Sequence, residues 1–441
     1  MKKINLKKLP ESPAKTLLGL SSFEMLAMFR RGLFYTFISI YLREFLNMSV
    51  WETTLVATFP MIMNVLFQNF AWGPLSDKTQ KRRSLIIIGE ILAGFGTFLI
   101  WIIHFNFSNL ILAGYIIIIG LSFVEMAWSM SNIGYSALIA DLYPFEERSK
   151  IMGQLASLGG VGRIFGIFIG GILYDSGFGF RNGPLFFVAV LTMFVSSLPM
   201  IFLTPEGGIN RRQEEDYNFV ELEDANRKSL VIFGIFITAL IFIQFGRNSI
   251  DIPYAQYLSL ETGFDLDSIM ISFVANSRSI AVIIIGILTG VSIKKIGDNR
   301  TLITGTLIGI LALVITATTI YLPLIFIGNF LMGTAEVLIY ASSYTIASIL
   351  MPPKMRAKLF AVYNAAFFLS WGIPGSLITG PLIDFLINNG SGDVFAYQMA
   401  FLVGAFMCLI GLLIFIALGI WLKTQKTEIK DNRNNSINKK E

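Results

Sequence analysis

Long apolar runs separated by short polar turns dominate the pattern of this chain. About twenty apolar residues cross a bilayer core. On that measure the chain divides into twelve predicted helices, at 17–45, 51–75, 84–103, 108–140, 151–174, 183–203, 229–258, 267–291, 301–320, 323–351, 357–388 and 395–422. Several are longer than a perpendicular crossing requires, which predicts tilt or extension beyond the bilayer. The runs follow one another with no polar face between them, which weighs against a soluble fold. The basic stretch MKKINLKKLPESPAK precedes an apolar segment too long for the core of a cleaved leader, so that segment is read as the first span.

Composition agrees. The 441 residues are 54% hydrophobic and 14% charged, where a soluble domain has about a quarter charged. The basic balance points away from nucleic acid once its charges are located. Of 34 Lys and Arg residues, 27 fall at the chain ends, in the central loop and in alternate turns. On the other side stand only Arg43 and Arg181. This split predicts a multi-pass cell-membrane protein with both termini in the cytoplasm. Single residues Cys408 and His104 leave no disulfide pair and no zinc cluster. His104 is predicted in a loop at the interface. No phosphate-binding G-x-x-x-x-G-K-S/T loop is present, so neither cofactor nor ATP-driven pumping is expected.

The two halves read as repeats. FRRGLFYTFISIYL (29–42) lines up with FGRNSIDIPYAQYL (245–258), pairing Arg31 with Arg247 and Tyr41 with Tyr257. The turn at Pro144–Arg148 lines up with Pro352–Arg356, and Gly73 with its basic turn lines up with Gly290, Lys294 and Lys295. The predicted organisation is a six-helix half (1–203), a charged linker (204–228), a second six-helix half (229–422) and a disordered polar tail (423–441).

Between the second and third spans lies WGPLSDKTQKRR. Gly73, Leu75, Asp77, Lys78, Lys81, Arg82 and Arg83 resemble the G-x-L-x-D-R/K-x-G-x-R/K-R/K signature of the major facilitator superfamily, with Gln80 at its second glycine. The resemblance covers about residues 15–422 and implies an all-α fold of two pseudo-symmetric six-helix halves around a cavity. It further implies that Asp77 closes the cytoplasmic side against the start of helix 11, near Ala357. Asp141 is the expected partner of Arg82 or Arg83, and Arg148 opens the next turn. Helix 5 carries Gly162, Gly166, Gly170 and Gly171. They resemble the glycine motif of antiporters in this superfamily, without its proline, and read better as a helix-packing stripe.

Ionisable residues inside spans are costly and face a partner or a water-filled path. Five are basic (Arg30, Arg31, Arg163, Arg247, Arg278) and five acidic (Glu24, Glu90, Glu125, Asp251, Glu336). Glu90 is placed near cytoplasmic water. Glu24, Arg31 and Tyr35 share a face of helix 1, and Gln244, Arg247, Asp251 and Tyr254 share one of helix 7. Pro253 is expected to break that helix just beyond Asp251 and free a carbonyl. Helices 1, 4, 7 and 10 line the cavity in the superfamily. The candidate substrate or proton-coupling residues are therefore Glu24, Arg31, Glu125, Arg247, Asp251 and Glu336. Glu24 and Glu125 lead as proton carriers, with Glu336 next. Arg31 with Arg247 resembles the arginine pair of organophosphate antiporters. The competing reading is that the buried acids and bases are structural pairs that neutralise one another.

The reading that results is a secondary active transporter of a small organic solute, similar to prokaryotic drug-efflux members, exchanging protons and acting as a monomer in the bilayer. Efflux of lipophilic compounds is favoured. An organic-anion transporter using Arg31 and Arg247 is the alternative, and a non-transporting membrane sensor or scaffold is a third. No catalytic cluster points to an enzyme.

Overall fold

The structure is a computed structural model that describes residues 13–143, 145–208, 223–351 and 356–438. It contains twelve transmembrane-length units. These are α1 (Pro13–Ile40, continued by a π-turn at Tyr41–Phe45), α2 (Val50–Thr79), α3 (Arg82–Phe105), α4 (Leu110–Leu142), α5 (Phe145–Tyr174) and α6 (Pro184–Leu203). The second half has α7 (Glu223–Asn248 and Asp251–Ser259), α8 (Ser268–Ile296), α9 (Asp298–Thr318), α10 (Leu322–Leu350), α11 (Arg356–Ser370 and Gly375–Asn388) and α12 (Asp393–Asn438). Ten are long and apolar enough to cross a membrane, and the two parts of α11, bent by 44°, make an eleventh. The remaining unit, α1, has 28 residues, about 42 Å at 1.5 Å per residue. Its charges Glu24, Arg30 and Arg31 lower its hydropathy.

Local sequence explains where these helices start and stop. Ser49 caps α2 by accepting from the Glu52 amide, while Glu52 reaches back to the Ser49 amide at 2.7 Å. Asn109 caps α4 through the Leu112 amide. The break in α7 lies before Asp251, not beyond it as the sequence predicted. Pro253 acts backwards: lacking an N–H, it leaves the Ser249 carbonyl without its helical donor. The Thr379 hydroxyl of α11 donates to that carbonyl at 2.5 Å. Past the predicted end at 422, the α12 backbone stays helical to Asn438, through Lys, Gln and Glu residues that favour helix.

The glycine stripe of α5 is a packing device. A Cβ at Gly162, Gly166 or Gly170 would collide with the carbonyl oxygens of Met25, Phe29 and Leu33 on α1. Four-residue steps on both helices therefore bring the backbones together.

The halves are fastened at the face opposite the termini. Asp384 of α11 accepts from the Val50 and Trp51 amides at the start of α2, at 2.9 and 2.7 Å. Thr58 donates to the Gly372 carbonyl and to Ser376, each at 2.9 Å. Gln256 donates to Ser39 O and to Thr53, at 3.0 and 2.8 Å. Ser268, Ser272 and Asn276 of α8 donate to carbonyls of Gly171, Ile167 and Ile164 on α5.

Candidate functional site

The charged residues inside the spans form two clusters of different character. In the first half, Glu125 on α4 is 3% exposed. It accepts from Asn64 of α2 at 2.6 Å, and Asn64 in turn accepts from Gln68 at 2.7 Å. One helical turn away on α4, Trp128 receives two cations from α1. The guanidinium carbon of Arg31 lies 4.1 Å from a Trp128 ring centroid and that of Arg30 lies 4.9 Å away. Both arginines act electrostatically on Glu125 and Glu90, and Arg31 acts on Glu24. Yet among the described residues Glu24, Glu90 and Glu125 form no ion pair.

Glu90 corrects the sequence reading. It is 1% exposed and faces the interior, so it does not reach water at the helix end, and neither of its oxygens has a hydrogen-bond partner. His104 is a second correction. It ends α3 rather than standing in a loop, and it is fully buried, with Tyr41 Oη 3.3 Å from Nε2 and the Ile100 carbonyl 3.2 Å from Nδ1.

In the second half the acids and bases are locked together. Arg278 of α8 donates to Asp251 at 2.8 Å and, through Nε and a terminal nitrogen, to one oxygen of Glu336 at 2.9 and 2.7 Å. Arg247, 2% exposed, donates to the same Glu336 oxygen at 3.3 Å and to Gln244 at 3.1 and 3.2 Å. Asp251 and Arg247, expected on one face of helix 7, are thus both linked to Glu336, Asp251 through Arg278 and Arg247 directly. Arg278, the hub that joins them, was not among the candidates, because α8 is not counted among the cavity helices. Its signal was present: it is the one charged residue in the apolar middle of α8. Arg31 and Arg247 share no partner, since one stacks on Trp128 and the other pairs with Glu336.

The basic turn is a knot within the first half. Arg82, 5% exposed, donates to Asp141 at 3.1 Å and to Ser76 at 2.5 Å, and lies 3.5 Å from Asp77. Asp141 also accepts from the Gly208 amide at 2.9 Å. Arg83 pairs with Glu206 at 3.2 Å instead, and Lys78 is exposed. Gly73 approaches closely: a Cβ there would be 2.8 Å from the Gln68 carbonyl. Gln80, at the signature's second glycine, has φ 55° and ψ 16°, a left-handed conformation that explains why glycine suits the place. Its side chain donates to the Asp77 carbonyl at 2.8 Å and accepts from Arg82 at 3.3 Å. The side chains of Arg148 and Lys294 and the segment 352–355 before α11 lie outside the described residues, and with them the contact expected of Asp77.

The model of the Major Facilitator Superfamily matches residues 20–373 and 236–438. The chain belongs to this superfamily. Among characterised relatives, Multidrug resistance protein 2 of Bacillus subtilis (strain 168) is 26% identical over 292 residues, which are 63% of this chain and 66% of that protein. Multidrug resistance protein MdtG of Escherichia coli O17:K52:H18 is 26% identical over 361 residues, 81% of each chain. Among solved structures, a variant of the nucleoside transporter NupG superposes with a TM-score of 0.72 at 14% identity, over 91% of this chain and 99% of NupG. A bacterial homolog of the human lysosomal transporter Spinster, inward-facing and unoccupied, gives 0.69 at 16%, over 92% and 97%. The protein is therefore a multi-pass membrane transporter of this superfamily, handling small molecules, and not an enzyme.

Proposed function

We propose that this transporter exports lipophilic organic compounds in exchange for protons, as a monomer, with the first-half acids Glu24 and Glu125 as the proton-coupling groups. The observation that carries this reading is the contrast in partners. Glu24 and Glu125 face arginines without an ion pair, and Glu125 is held only by the Asn64 amide. An acid so placed can take up a proton without breaking a salt bridge. Glu336 is fixed by two arginines, and protonating it would leave both short of a counter-charge. The names of the multidrug resistance relatives support the substrate class.

The distribution of Lys and Arg supports termini in the cytoplasm. In that orientation the fastened face is the outer one. Asp77, Arg82 and Asp141 then form the gate on the cytoplasmic side, with Arg148 of the next turn assigned to it from the sequence.

The test is proton flux in proteoliposomes. With a lipophilic cation such as ethidium as solute, Glu24→Gln or Glu125→Gln is expected to abolish solute-driven proton movement. Undiminished flux in both variants would remove the acids from coupling. Wild-type protein that binds ethidium but moves none of it would instead favour a sensor.

A further inference from the structure

The five arginines within the spans are not equivalent. Arg247 and Arg278 have their N–H groups taken by carboxylate and amide oxygens. Arg30 is 3% exposed, closed off under Trp128. Arg30 likewise has no hydrogen bond or ion pair among the described residues, so Arg31 and Arg163 differ from it in exposure and from Arg247 and Arg278 in partners. Each is half-buried, and among the described residues neither has a hydrogen bond or an ion pair.

These two arginines come from neighbouring backbone. Gly32, next to Arg31, packs so closely on α5 that a Cβ would lie 2.5 Å from the Arg163 carbonyl. Asn276 of α8 donates at 3.2 Å to the carbonyl of Ile164, the residue after Arg163. Arg163 therefore stands where α1 and α5 of the first half meet α8 of the second. The charges that act on it are Arg278, Glu336, Asp251 and Arg31, and the two acids among them are already held by Arg278.

The chemistry of the pair is specific. The Arg31 guanidinium carbon lies over the Trp128 ring at 4.1 Å. A cation held over a ring makes no hydrogen bond with it, so the N–H donors of the guanidinium remain to be matched. A charge inside a membrane protein demands a partner, and among the described residues these two arginines on neighbouring helices feel nearby acids only at a distance, with no hydrogen bond or ion pair to either. Their planar paired donors match the oxygens of a carboxylate, sulfonate or phosphate group.

We propose that Arg31 and Arg163 form an anion-recognition site at the seam of the two halves, which takes the acidic group of an amphipathic organic anion. Arg163 replaces Arg247 as the partner of Arg31 in anion binding. The inference deepens the transporter reading and rests on the seam lying in the solute path.

The test is calorimetric titration of salicylate into full-length protein in phosphatidylcholine nanodiscs, with neutral salicylamide as control. Arg31→Gln and Arg163→Gln are each expected to weaken salicylate at least tenfold and leave salicylamide unchanged. Arg163→Lys, which keeps the charge but not the paired donors, is expected to fall between. Arg43→Gln, outside the site, should match wild type. Salicylate affinity within twofold of wild type in both glutamine variants, or absent in the wild type, would overturn the proposal. Repeating the titration with phosphatidylglycerol in the nanodisc separates two sources of the same chemistry. Retained binding assigns the site to a free solute, and loss assigns it to a lipid headgroup. Proton-coupled ethidium export is read separately, so its failure removes the exchange mechanism and leaves the binding result standing.

Discussion

Arg31 and Arg247 stand at matched places in the two halves, yet they live in different chemistry. The register that aligns Pro144 with Pro352 also aligns Trp128 with Glu336. In the first half the matched arginine meets an indole and stacks at 4.1 Å. In the second it meets a carboxylate and donates at 3.3 Å. The register that aligns Gly73 with Gly290 sets Met61 opposite Arg278. The first half therefore has no counterpart of the cation that joins Asp251 to Glu336. A few replacements on a shared scaffold leave one half with acids lacking an ion pair and the other with a neutralised network. A repeat thus preserves geometry while its two copies divide the labour, one half free to change charge and the other held fixed.

The strongest way to break this comparison is to give the second half the first half's residue. Arg278→Met is expected to cost about 3–5 kcal/mol, because it strips the main partner from two buried acids. Glu125→Gln should cost less than about 1 kcal/mol, since an amide oxygen still accepts from Asn64. Thermal unfolding in detergent compares the two directly, and equal losses would erase the distinction between the clusters. Next in size is the matched turn. Gly297 has φ 83° and ψ 153° at the start of α9, where the register places it opposite Gln80. Gly297→Gln is expected to cost about 1–3 kcal/mol in melting experiments, since that backbone region is almost closed to side chains.

A finer probe is a double-mutant cycle on Arg31 and Trp128. It should return about 0.5–2 kcal/mol of coupling, the range of a cation over an aromatic face. A cycle on Arg278 and Glu336 should return more, and the reverse order would mean that stacking is the stronger tie. The smallest effect is expected at Thr58, whose hydroxyl bridges the halves. Thr58→Ala removes hydrogen bonds that in membrane proteins average about 0.6 kcal/mol, roughly a threefold change in the balance of closed and open forms. Maleimide labelling of a cysteine placed by Asn47→Cys at the fastened face reads that shift. Unchanged labelling would show that Thr58 does not help hold the face shut.

Much of the molecule was legible from residue order alone. Twelve spans, the repeated halves and the signature around Asp77 and Arg82 all follow from apolar run length and from residues close together in the chain. Helix periodicity also put Arg247 with Asp251 on one face. The partner of Asp141 was narrowed to two adjacent arginines, and the fold selected Arg82. Solvent exposure was less legible. Glu90 and His104 sit near the ends of apolar runs, where distance from a loop is a poor guide to depth, because neighbouring helices cover the residue.

What the sequence determined by itself is the set of helices and the list of charges they carry into the membrane, since hydropathy and the cost of buried charge act along the chain. What only the tertiary structure decided is which charges meet. Arg278 joins Asp251 and Glu336 because α7, α8 and α10 converge. The backbones that carry Arg31 and Arg163 lie side by side because Gly32 admits α5. Ion pairing and stacking depend on distances of a few ångströms between helices far apart in sequence, and helix packing alone sets those distances.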